Sequence, residues 1–105
     1  MPKKALESLT ESMFYVLMAL HFRNMCGTDI ATYIEQHTRF RVVMGPATLY
    51  TNLAKFEKEK YIREIEVEGR KRTYTLTDLG RSAYEEELIR LRQCILDAES
   101  EVDRI

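Results

Sequence analysis

Tryptophan is absent from this 105-residue chain, and cysteine occurs only twice, as Cys26 and Cys94. Their spacing matches neither a metal ribbon nor a redox motif, so a reducing cytoplasm is the expected compartment. His21 and His37 have no carboxylate or thiolate at ligand spacing, so no metal is expected. There is no Walker loop, no GxSxG and no HExxH, which leaves an enzyme reading without footing and calls for no cofactor. No apolar run approaches the roughly 18–20 residues that span a bilayer. The opening "MPKKALESLTES" lacks the apolar core of a signal peptide, so no membrane partner is expected. Internal repeats and low-complexity segments are also missing.

What is present describes one soluble globular domain, since 45% of residues are hydrophobic and 31% charged. A chain this short buries a modest core, and help from a second subunit is expected. The net charge of −1 hides an asymmetry. Residues 39–75 carry nine Lys/Arg against five Asp/Glu, whereas residues 76–105 carry four against eight. A basic middle and an acidic tail point to two tasks in two places.

Periodicity supplies the elements. A first helix begins near Ser8 or Thr10, where Ser8 with Glu11 fits a capping box. Met13, Val16, Leu17 and Leu20 form its buried face. Gly27 breaks the pattern, and Thr28 is placed to cap a second helix with Ile30, Tyr33, Ile34 and His37 on its apolar face. Gly45 and Pro46 open a third helix, proline suiting the first turn because its missing N–H would go unpaired there. At 100° per residue, Leu49, Leu53 and Phe56 face the core, while Thr48, Thr51, Asn52 and Lys55 share another side. Tyr50 falls about 60° beyond the core stripe, where packing and a phosphate contact are both open to it.

After Ile62 the period drops to two. "IEVEGRKRTYTL" reads as a β-hairpin that turns at Gly69 and carries Arg70, Lys71 and Arg72 at its tip. Thr77 caps a last helix expected to reach the C-terminus. Tyr84, Leu88, Leu91, Ile95, Ala98, Val102 and Ile105 recur at spacings of four and three, a heptad seam. The seam packs on its own domain or on a partner chain. Its burial is worth roughly 10 kcal/mol at most, against an association cost of about 4–15 kcal/mol, so it supports a marginal dimer that needs further contacts. Cys94 beside the seam reads as a buried small hydrophobe, and Glu85–Glu86–Glu87 as a solvated face.

Three helices, a basic-tipped hairpin and a long helix give the order of a winged helix–turn–helix: mainly α with a small β-hairpin. Residues 1–77 are expected to form that domain and 78–105 a dimerisation helix. The second helix of such a motif enters the major groove, which explains why the third helix here holds its glutamates back to Glu57 and Glu59. Short hydrogen-bonding side chains reach bases, and lysine meets phosphate. Double-stranded DNA is therefore the expected partner, with Thr48, Tyr50, Thr51, Asn52, Lys55, Arg70, Lys71 and Arg72 as candidate contacts.

"GPATLYTNLAKFEKEKYI", "EGRKRTYTLTDLGR" and "SLTESMFYVLMAL" together resemble the PadR-like transcriptional regulators over nearly the whole chain. One departure is Lys60, where that family usually has glycine. The resemblance implies a homodimer built on the last helix, and a repressor released by a small aromatic or apolar effector. Phe14, Tyr15, Tyr84 and Leu88 are the candidate walls of an effector pocket, although core packing accounts for them equally well. The absence of tryptophan means that a flat stacking pocket of the kind some short multidrug-binding relatives use cannot be built in the same way. A rival reading is a winged domain that recruits proteins through its acidic helix without touching DNA. A weaker one is a small-molecule carrier.

Overall fold

The computed structural model describes residues 9–100. Its elements run α1 (Glu11–Phe22), β1 (Met25–Cys26), α2 (Gly27–His37), α3 (Pro46–Lys58), β2 (Ile62–Glu68), β3 (Lys71–Leu76) and α4 (Asp78–Glu99). α1 is the central element, with Val16 and Leu17 fully buried among Ile30 and Ile34 of α2, Leu53 and Phe56 of α3, and Ile62 of β2. Thr10 caps α1 by accepting the Met13 N–H at 3.2 Å. The Ser8 capping box lies outside the described residues.

The sheet has three antiparallel strands in the order β1-β3-β2, one more than the hairpin alone. Met25 pairs with Tyr74 and Cys26 with Thr73, so the break between the first two helices is itself a short strand. α2 consequently starts at Gly27, with Cys26 at the cap position and no side-chain cap bond. Thr28 does not cap it; its hydroxyl lies 3.3 Å from the Cys26 sulfur. The β2–β3 ladder shifts register around Ile65, a bulge that leaves Ile65 and Val67 exposed.

α3 ends where Lys60 adopts φ +64°. The Tyr61 N–H reaches the Phe56 carbonyl at 2.9 Å, and the Lys60 N–H reaches Glu57 at 3.1 Å. Those two bonds form a Schellman stop, and the Phe56 and Tyr61 rings, 5.9 Å apart, supply its apolar contact. The stop is then tied to the start of α4. The Thr77 hydroxyl donates to the Lys60 carbonyl at 2.6 Å and accepts the Gly80 N–H at 3.1 Å. Gly80 has no room for a β-carbon, because the Tyr61 carbonyl occupies that space. This close approach accounts for the "TDLG" step between wing and last helix.

α4 is helical only to Glu99, with Ser100 extended, so the expected run to the C-terminus is not seen among the described residues. Tyr84 is buried against the domain, Leu88 and Leu91 are half-buried, and Ile95 and Ala98 are open. Val102 and Ile105 lie outside the described residues. Cys94, expected to be buried, is exposed. Glu87, expected in a solvated run, is buried and held by Arg90 at 2.6 and 2.9 Å, which pushes the guanidinium pKa up. The described part of the molecule measures 61 × 39 × 22 Å. None of its helices is long and apolar enough to cross a membrane.

Candidate nucleic-acid interface

α3 presents its outer face because Leu49, Leu53 and Phe56 dock the inner one. Thr48, Thr51 and Lys55 are exposed on that outer face, and no acidic residue occupies the first turn. Asn52 is a correction. It is only 6% exposed, and its side-chain amide donates to the Ser12 hydroxyl on α1 at 3.1 Å. Its place on the helical wheel, about 40° from Phe56, already put it at the edge of the core stripe.

Three residues absent from the sequence reading complete the outer face. Ala47, Ala54 and Lys58 line a shallow depression of about 560 Å³ with Tyr50, Thr51 and Lys55. The same wheel centres them opposite Leu49, and the two alanines keep the backbone approachable. Tyr50 is half-exposed and lies across Gly27, where an added β-carbon would sit 2.7 Å from the phenol oxygen.

The wing stands beside this face. Gly69, at φ +61°, makes the turn, and Arg70, Lys71 and Arg72 are all exposed. Arg72 pairs across the strands with Glu64 at 3.4 Å. Arg70 and Lys71 have no ion-pair partner among the described residues. Between wing and α3 lies a cleft of about 500 Å³, with Tyr74 at its base and the N-terminal end of α2 as its far wall. Burial raises the Tyr74 phenol pKa above its ordinary value, with Glu57 and Glu64 adding to the shift and Arg72 opposing it.

The candidate effector residues gather at the α1–α4 contact. Phe14 stacks on Tyr84 at 5.1 Å, and Tyr15 meets Phe14 edge-on at 6.2 Å. Leu88 sits one turn beyond Tyr84 on the same helix. His21 flanks the Tyr84 ring at 4.8 Å. Burial raises the Tyr84 phenol pKa, helped by Tyr33 and opposed by Arg92. Tyr15 also accepts a hydrogen bond from Arg41, whose guanidinium lies 3.7 Å from Glu11. α1 thus touches both the aromatic cluster and the α2–α3 connection.

The candidate dimer residues Tyr84, Leu88, Leu91, Ile95 and Ala98 do fall on one stripe of α4. Ile89 and Leu96, which the heptad count passed over, are also exposed, but they lie about 100–120° around α4 from Ile95 and form a separate apolar strip. Among the described residues no His, Cys, Asp and Glu side chains gather as a metal site.

Residues 16–86 match the family described as "Transcriptional regulator PadR-like family". An uncharacterised 37.1 kDa transposon protein from Streptomyces fradiae is 36% identical over 77 residues, which cover 73% of this chain. The match spans only 22% of that relative's length. A transcriptional regulator from Clostridium thermocellum is similar in structure, with a TM-score of 0.70 and 26% identity over 85% of this chain and 92% of that one. PadR from Bacillus subtilis, solved in complex with operator DNA, gives a TM-score of 0.67 and 25% identity over 75% of this chain and 47% of that one.

Proposed function

The chain belongs to the PadR-like family of transcriptional regulators, and from that premise we propose that it binds DNA in a sequence-specific way as a cytoplasmic homodimeric repressor. The observation that carries this reading is the exposed face of α3, whose first turn holds no acidic residue, continued by the cationic wing tip. α3 enters the major groove, Thr48 and Thr51 approach base edges, and Lys55 and Lys58 meet phosphate. Arg70 and Lys71 hold the flanking backbone. The similarity to Bacillus subtilis PadR, solved in complex with operator DNA, supports DNA binding as the role of this fold. Two copies joined through α4 place two such helices on a palindromic site with half-sites about 34 Å apart. An apolar ligand lodged by Phe14, Tyr15, Tyr84 and Leu88 releases the DNA by favouring a different spacing of the two domains.

Selection of bound duplexes from a random pool, followed by salt titration, tests the proposal. Lys55→Ala, Arg70→Ala and Lys71→Ala should each weaken binding to every duplex and flatten the salt slope by about one. Thr51→Ala should instead relax sequence preference, by roughly 1–3 kcal/mol for the lost contact. Failure to bind any duplex at low salt would favour the protein-recruiting reading.

A further inference from the structure

The connector between α2 and α3 holds a costly backbone, and the side chains it displays stay outside the core. Arg39 and Phe40 are consecutive left-handed residues, at φ +53° and +62°, a conformation that L side chains keep only with support. Hydrogen bonds supply that support. The Thr38 hydroxyl donates to the Ile34 carbonyl at 2.7 Å and accepts the Val42 N–H at 3.1 Å. The Phe40 N–H reaches the Glu35 carbonyl at 2.7 Å. What this fixed turn displays is apolar and cationic. Phe40 is 66% exposed and Val43 63%, and Arg39 has no ion-pair partner among the described residues. Arg41, by contrast, is engaged by Tyr15 and Glu11 at the start of α1.

α4 carries a surface of complementary character. Ile89 and Leu96, both more than half exposed, form the apolar strip that lies away from the seam. Over residues 85–99, Glu85, Glu86 and Glu99 stand within about 80° of that strip on the helical wheel, against one cation, Arg92. We propose that the connector of one copy docks on this strip of a second copy, with Phe40 and Val43 against Ile89 and Leu96, and Arg39 among the glutamates. Both surfaces are exposed within a single chain, so the contact is made between chains. Opposite charge steers the two together and fixes their register. In a two-fold dimer the contact forms twice, because each copy supplies one connector and one strip. The inference rests on the homodimer reading and deepens it. The seam alone is marginal against the cost of association, and two docked connectors add the further apolar burial it needs. Val43 stands just before Pro46, so the same contact ties the start of α3 to the partner's helix.

Isotope-filtered NMR on an equal mixture of carbon-13-labelled and unlabelled full chains tests the contact without altering a residue. Nuclear Overhauser effects should link the Phe40 ring of one chain to Ile89 or Leu96 methyls of the other. Links to a different surface, or none between chains, would overturn the assignment. Two variants then measure its weight. Phe40→Asn/Val43→Ser removes the apolar prongs but keeps a residue that tolerates the left-handed turn. Ile89→Gln/Leu96→Gln removes the strip but keeps helix propensity. Each should raise the dimer Kd by about tenfold or more in sedimentation while the amide spectrum stays folded. Arg39→Glu, which sets a carboxylate among glutamates, should raise it by about threefold or more. Mixed together, the connector and strip variants should form heterodimers beyond the statistical share, because only the heterodimer regains one complete contact. A statistical mixture would overturn the docking. Parental affinity in both variants would also overturn it and leave the dimer reading standing, whereas a monomeric parent would overturn both.

Discussion

Lys60 holds a conformation that costs an L side chain about 1–2 kcal/mol, and it does so at the position where glycine is the usual occupant. The hydrogen bonds to Glu57 and Phe56 and the stacked Phe56–Tyr61 pair impose that geometry. A lysine at the helix C-terminus recovers part of the cost, because its charge faces the negative end of the dipole. Glycine would relieve the strain but would add entropy to the unfolded chain. The net expectation for Lys60→Gly is a gain of about 0.5–1 kcal/mol, read as a higher urea midpoint at unchanged slope. Lys60→Ala should stay close to the parent. If Lys60→Gly is neutral or destabilising, the dipole contact outweighs the backbone strain. Sequence alone flagged this position, but it could not say whether the chain would keep the left-handed stop or rearrange around lysine.

Between elements, the docking of α3 on α1 is the contact that aims the outer face, and the Ser12–Asn52 hydrogen bond lies within it. A buried amide left without its partner costs more than the bond itself contributes, so each single replacement should destabilise the chain. A double-mutant cycle of Ser12→Ala and Asn52→Ala should return a coupling of about 0.5–1.5 kcal/mol in stability. Additive single effects would mean that the bond is not formed in solution. The helices were legible because Leu49, Leu53 and Phe56, like Met13, Val16 and Leu17, repeat with the helical period. Asn52 was misplaced because a polar residue at the edge of the stripe gives no sign of the hydroxyl waiting across the groove. β1 was illegible for a different reason. Two residues carry no period, and Met25 and Cys26 are a strand only because Tyr74 and Thr73 pair with them. The wing tip and the outer residues of α3 needed no tertiary information, since exposure follows directly from their place on the turn and the wheel.

At the scale of the whole molecule, the basic middle and acidic end of the chain become a basic face and an acidic helix. An acidic α4 is repelled by phosphate, which keeps the candidate dimer contact away from the candidate DNA contact. That helix cannot stay as it is in a lone chain without cost. Ile89, Ile95 and Leu96 are each more than half exposed there, on one 22-residue helix. A second copy docked on the seam around Ile95 has to overcome an association cost of about 4–15 kcal/mol, so the assembly depends on every large side chain in the contact. Ile95→Glu isolates this dependence, because Ile95 is 56% exposed within its own chain and its replacement barely touches the domain core. Leu91, half-buried on its own domain, would confound folding with assembly. Sedimentation should find Ile95→Glu monomeric where the parent is dimeric, because a carboxylate in the seam loses its water without gaining a partner. Thermal unfolding of the dilute monomer should still be cooperative. Affinity for a selected duplex should then collapse, since one half-site offers half the contacts and the proposed dimer couples two of them through α4. A variant that remains dimeric and binds normally would place the contact on another surface, and the exposed stripe of α4 would need a different occupant.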